Sequence, residues 1–127
     1  MRYRARVVVG KGRGKGMGFP TLNLEIPEVF DAKHGIYAGY VYIGEKKYTT
    51  AIHFGPVPTF REAEPTLEAY VLDTKLQEAP SELDIELVAF IREIRQFKGS
   101  DELREQIARD VAEVRKALAL GRVERIL

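Results

Sequence analysis

Gly10-Lys11-Gly12-Arg13-Gly14-Lys15-Gly16-Met17-Gly18-Phe19-Pro20-Thr21-Leu22-Asn23-Leu24-Glu25-Ile26 is the stretch on which the fold turns. Glycine alternates with Lys11, Arg13, Lys15 and Met17, so backbone freedom and positive charge are interleaved residue by residue. That combination suits a phosphate: glycine tolerates positive φ and close approach, several backbone N–H groups can converge on one anion, and the cations neutralise it. Phe19-Pro20 then directs the chain into an extended path. Thr21 to Ile26 alternates polar and apolar residues, the pattern of a half-buried strand, and Pro27 closes it. A glycine loop set between two strands excludes two common nucleotide motifs. A Walker loop has Ser or Thr after its Gly-Lys and then a helix, whereas Gly16 follows Lys15 here. A dinucleotide-binding fingerprint also runs directly into a helix, not into Pro20 and a strand. Thr21 and Asn23, at i and i+2, share one face of that strand and offer two neutral oxygen ligands to a hydrated magnesium ion beside the phosphate loop.

Working outward, Arg4 to Val9 reads as a strand that ends where the glycines begin. After a turn at His34-Gly35, Ile36 to Ile43 is β-branched and aromatic, and Gly44-Glu45 makes a tight hairpin turn into Lys47 to Phe54. Gly55-Pro56-Val57-Pro58 breaks regular structure, and the chain through Thr59-Phe60 to Pro65 reads as a loop. Thr66 to Leu72 is a strand with Leu67, Ala69 and Val71 on one face and Glu68 and Tyr70 on the other, which sets an acid between apolar neighbours. Leu83 to Ile94 fits a strand covered on both faces. From Ser100 to about Leu120 the period becomes helical, with Leu103, Ile107, Val111, Val114 and Leu118 on one stripe. Ser100 is a candidate cap, Asp101 and Glu102 complement the dipole, and Gly121 is the expected stop. Strands followed by one helix predict an all-β barrel with a long C-terminal helix on its outside or across one mouth.

The chain has 127 residues, 45% of them hydrophobic, and predicts one domain, 1–127, with a single core. It contains no cysteine, which removes disulfides, thiol nucleophiles and Cys-ligated zinc from consideration. Val7-Val8-Val9 is too short for a signal-peptide core and no apolar run reaches membrane length, so a cytoplasmic protein without membrane attachment is expected. The net charge of +1 hides an asymmetry: residues 1–60 hold nine Lys or Arg against four acids, and residues 61–127 hold eleven against fifteen. An anionic ligand therefore belongs to the first half, while the near-neutral total argues against nucleic acid as a partner.

Arg13 through Asn23 resembles the signature of the ATP-dependent riboflavin kinases, in which a basic glycine loop leads into Gly-Phe-Pro-Thr-Ala-Asn. The likeness continues in order through Gly35-Ile36-Tyr37-Ala38, Gly55 with Pro58-Thr59-Phe60, and Leu67-Glu68 with Leu72-Asp73. It then extends to Ile91-Arg92, Phe97, Leu103, Gln106-Ile107 and Asp110. The resemblance implies a six-stranded antiparallel Greek-key barrel and transfer of the ATP γ-phosphate to the riboflavin 5′-hydroxyl, giving FMN and ADP. It implies that Gly10, Lys11, Gly12, Arg13, Gly14, Lys15, Gly16, Gly18, Pro20 and Thr21 bind ATP. Mg2+ would sit on Thr21 and Asn23, and Glu68 would be the catalytic base, expected across the barrel from the loop. Arg92, Phe97 and Leu103 would line the flavin. Relatives in bacteria commonly carry an adenylyltransferase domain, so the chain is expected to be either a stand-alone kinase, with the adenylyltransferase supplied separately, or one domain of such a bifunctional protein.

The chain departs from the family pattern at His53, where an amide is usual, at Val57, where an arginine is usual, and at Ile94, where an acid is usual. Gln96 and Tyr70 replace a common Lys and a common His. Without the resemblance, each signal has a plainer reading: a solvated glycine hairpin, a strand entry at Thr21, a surface carboxylate at Glu68, a packed histidine at His53. Two alternatives to the kinase follow from this. One is a non-catalytic barrel that binds a flavin or nucleotide, and the other is an oligonucleotide-binding barrel using Lys11, Arg13 and Lys15, which would need stacking aromatics exposed on one face.

Overall fold

The computed structural model describes residues 2–8, 21–76 and 78–126, and the structural statements below concern these residues. Six strands close into one barrel: β1 (Arg2–Val8), β2 (Leu22–Leu24), β3 (Gly35–Ile43), β4 (Lys46–Val57), β5 (Glu62–Val71) and β6 (Glu82–Arg92). Their order around the barrel is β1-β2-β5-β4-β3-β6, with each neighbouring pair antiparallel. The meander β3-β4-β5, with β6 returning beside β3, is the Greek-key arrangement expected from the sequence. Closure leaves no open edge.

Alternation decides what fills the barrel. Tyr3 and Ala5 of β1, Leu24 of β2, Ile52 of β4, Leu67 of β5 and Ile85 of β6 point inward and form its core. Strand β3 is apolar on both faces because both are covered. Tyr37 and Val41 face the interior, while Ala38 and Tyr40 lie under the helix α1 (Ser100–Ile126), against Val114 and Leu118. Gly39 is required between them, since a Cβ there would stand 2.0 Å from the Glu86 carbonyl oxygen of β6. The helix packs on the outside of β3, β4 and β6, along the stripe predicted from its period. Between β2 and β3, Phe30 packs edge-on against Tyr3 and Phe54, each at 4.8 Å between ring centroids, and so covers part of the core.

Three details differ from the sequence reading. The expected loop at 55–65 is largely strand: β4 runs to Val57, a short 3-10 turn occupies Pro58–Phe60, and β5 starts at Glu62. Pro56 and Pro65 are accommodated because the ladder shifts register between Gly55 and Val57, where no N–H is needed. In β6, the register slips opposite Ala38/Gly39 and Ile36/Tyr37, so Val88 and Ile91 are extra residues. Those bulges change the phase of the strand, which is why its sequence alternation is ambiguous. Finally, α1 continues through Gly121 to Ile126. A single glycine costs a helix only about 1 kcal/mol, too little to end it among good helix formers.

Candidate active site

Cross-strand register brings the sequence candidates together. Asn23 of β2 pairs with Glu68 of β5, Glu68 with His53 of β4, His53 with Ile36 of β3, and Ile36 with Arg92 of β6. Their neighbours Leu22, Leu24, Ile52, Phe54, Leu67 and Ala69 all pack into the barrel, so this row lies on its outer face. Glu68 is therefore on the strand adjacent to Thr21 and Asn23. The expectation that it would lie across the barrel is corrected: β5 follows β2 around the barrel although 44 residues separate Leu24 from Glu68 in the chain.

Glu68 is half-buried and held at both oxygens. The Thr21 hydroxyl donates to Oε1 at 3.2 Å, and the Thr66 hydroxyl lies 3.0 Å from Oε2. His53 Nε2 is 2.8 Å from the Gly55 carbonyl oxygen, an acceptor only, so Nε2 carries the proton and donates it. Burial pushes the His53 imidazole below its ordinary pKa. Arg92 and His34 act in the same sense, while the Gly55 carbonyl and Glu68 oppose them. Gly55 is needed where it stands: its φ is +138°, and a Cβ would lie 3.1 Å from both His34 and Ile94.

On the other flank, Arg92 leaves the row to form a two-point ion pair with Asp110 of α1, Nε to Oδ1 and Nη2 to Oδ2 each at 2.8 Å. Its Nη1 donates to the Glu93 carbonyl at 2.9 Å, and Gln106 adds a hydrogen bond to Asp110 at 3.0 Å. Both side chains are largely removed from water, and this contact fixes the N-terminal half of α1 to the end of β6. The Phe97 N–H donates to the Thr59 hydroxyl at 3.0 Å, joining the 3-10 turn to the segment before the helix. The guanidinium groups of Arg92 and Arg95 stand 5.6 and 5.4 Å from the Phe97 ring centroid, within cation–π range. Leu103 sits half-buried in the first turn of α1 and its N–H donates to the Gly99 carbonyl.

The structure thus joins Thr21, Asn23 and Glu68 in one cluster, and Arg92 and Phe97 in a second, with Leu103 on the helix beyond. Gly10, Lys11, Gly12, Arg13, Gly14, Lys15, Gly16, Gly18 and Pro20 lie outside the described residues. The sequence assigned nothing to Thr66 and, although it placed Arg92 at the flavin, did not anticipate the contact of Arg92 with Asp110. Thr66 was within reach, since it lies two residues before Glu68 on the same strand face. No group of three or more His, Cys, Asp or Glu side chains suited to a metal occurs among the described residues, and no helix among them is long and apolar enough to cross a membrane.

The riboflavin kinase (flavokinase) family profile matches residues 1–118. The chain belongs to the riboflavin kinase family. Among its relatives, the bifunctional riboflavin kinase/FMN adenylyltransferase of Escherichia coli strain K12 is 33% identical over 116 residues, which cover 91% of this chain and 37% of that protein. The riboflavin kinase of Mus musculus is 28% identical over 124 residues, covering 92% of this chain and 80% of the mouse protein. The chain therefore spans just over a third of the bifunctional family members and most of the mouse kinase. A crystal structure described as a macrolide-efflux protein from Streptococcus pneumoniae superposes with a TM-score of 0.78 at 27% identity, over 90% of this chain and 38% of that one. It shares the barrel with this member of the riboflavin kinase family.

Proposed function

We propose that the chain transfers the γ-phosphoryl group of ATP to the 5′-hydroxyl of riboflavin, releasing FMN and ADP. The observation that carries the proposal is the Glu68 carboxylate, half-buried on the outer face of the barrel between two hydroxyl donors and beside Asn23. Family membership supports reading that carboxylate as a participant in this reaction. Phosphoryl transfer asks the protein mainly to position reactants and neutralise charge, together with a group that orients the nucleophile. Glu68 accepts the proton of the riboflavin 5′-hydroxyl as its oxygen bonds to the γ-phosphorus and the bond to the ADP oxygen breaks. Gly10 to Gly18 surround the phosphates with backbone N–H groups and cations.

Thr21 and Asn23 fit a magnesium ion of the kind that retains several waters and takes few protein ligands: two neutral oxygens on one strand face, with a carboxylate 3.2 Å from one of them. Magnesium, when bound, neutralises charge developing on the phosphates. Thr21 can hold such an ion through its hydroxyl oxygen and still donate its proton to Glu68. Arg92, Phe97 and Leu103 border the flavin, with Arg92 acting through its grip on Asp110 and the adjoining Phe97 ring. An FMN adenylyltransferase activity, present in the bifunctional relatives, would consume the product.

Incubation of the purified chain with riboflavin, ATP and magnesium, followed by chromatography, tests the proposal. FMN above a protein-free control is expected. Riboflavin that binds without forming FMN would instead establish a non-catalytic flavin-binding barrel.

A further inference from the structure

The geometry points to Thr66 and His53 as positioning residues for the base: Thr66 fixes Glu68 Oε2, and His53 keeps the Thr66 proton directed there by serving the Gly55 carbonyl. This inference rests on the kinase reading in which Glu68 receives the acceptor proton. Thr66 has a single hydroxyl proton and two acceptors in reach, Glu68 Oε2 at 3.0 Å and the Gly55 carbonyl at 3.4 Å. The carboxylate is nearer and charged, and a hydrogen bond to a charged acceptor is roughly twice as strong as one between neutral groups. His53 weakens the competition, because its Nε2–H already occupies one of the two lone pairs of the same carbonyl at 2.8 Å.

The carbonyl is held in place by backbone that only glycine adopts readily, at φ +138°, with His34 and Ile94 packed against it. Four residues on two adjacent strands, His53 and Gly55 of β4 with Thr66 and Glu68 of β5, therefore determine where one proton goes. With Thr21 on Oε1 and Thr66 on Oε2, the carboxylate cannot rotate without losing a donor, and its remaining lone pairs keep a fixed direction toward an incoming hydroxyl. A neutral imidazole suits this role, since the Nε2–H tautomer is all the carbonyl requires.

Nitrogen-15 NMR of the His53 ring and steady-state kinetics test the inference together. The ring spectrum of the wild-type chain at neutral pH should show Nε2 protonated and Nδ1 bare, and the opposite tautomer would overturn the role of His53. Thr66→Val should lower kcat about tenfold, the scale of one hydrogen bond to a charged group, with KM for ATP and for riboflavin unchanged. Thr66→Ser should restore it. His53→Leu should lower kcat by a smaller factor and His53→Gln, which can donate to the same carbonyl, should recover most of the loss. Wild-type kcat in folded Thr66→Val, or a loss seen only in KM, would overturn the inference. Glu68→Gln measured alongside separates the two levels: if it retains wild-type turnover the base itself is misassigned, and if it alone is impaired only the positioning inference fails.

Discussion

The two flanks of the site are built by different kinds of contact. On the β2-β5-β4 side, strand register pairs Asn23 with Glu68 and Glu68 with His53 and sets Thr66 on the same face, while Thr21, just before β2, reaches the carboxylate through its hydroxyl. On the β6-helix side, Arg92 reaches Asp110 and Phe97 reaches Thr59 across 18 and 38 residues of chain, and individual side-chain bonds hold the arrangement. The first flank is carried by the barrel, so losing one side chain there should leave the fold intact and show in turnover instead. The second depends on a few bonds, so its substitutions should cost stability and acceptor binding together.

Asp110→Ala is the strongest test of that contrast. The Asp110 and Arg92 side chains are 6% and 16% exposed, so truncating the acid strands a guanidinium in a poorly solvated place. A loss of about 3 kcal/mol in urea unfolding is expected, with a raised KM for riboflavin. The double variant Arg92→Ala with Asp110→Ala should be less destabilised than the sum of the single changes. A loss below about 1 kcal/mol, the range of a surface pair, would show that this flank is not held by the ion pair.

Thr21→Ala should have a smaller effect of another kind. Melting should be nearly unchanged, while the magnesium concentration needed for half-maximal nucleotide binding rises on the order of tenfold, the equivalent of one interaction with a charged group. An unaltered magnesium dependence would remove Thr21 from the metal site.

The smallest effect concerns pH. Burial first, then Arg92 and His34, keep the folded His53 pKa below its unfolded value. As pH falls, the unfolded chain takes up the proton first. The contribution of neutral His53 is thus complete above the ordinary histidine pKa of about 6.5 and is lost as pH falls from there through the folded value. Melting temperatures between pH 8 and pH 5, values on the order of the histidine range, should decline more steeply for the wild-type chain than for His53→Gln. Parallel declines would mean that His53 is not held neutral by the fold.

The same contrast explains what could be read from the sequence. Strand alternation in Thr21 to Ile26 and Thr66 to Leu72 already placed Thr21 with Asn23 and set Glu68 opposite Leu67 and Ala69, because period 2 is a local property. The adjacency of β2 and β5 was not local. It follows from the Greek-key path, and so Glu68 was expected on the wrong side of the barrel. Val88 and Ile91 hid the phase of β6 because bulges break the periodicity on which the reading depends. Arg92 carried no sign of its partner, since an ion pair between a strand end and a helix has no sequence spacing to betray it. Pro56 and Pro65 suggested a loop where the chain keeps extended structure with an unpaired stretch of ladder.

Steady-state kinetics of Glu68→Gln decide whether this carboxylate is the base. With the fold unchanged by circular dichroism and melting, kcat for FMN formation should drop by roughly 10² or more, the usual scale for losing a general base, while riboflavin still binds. Wild-type turnover in that variant would contradict the account.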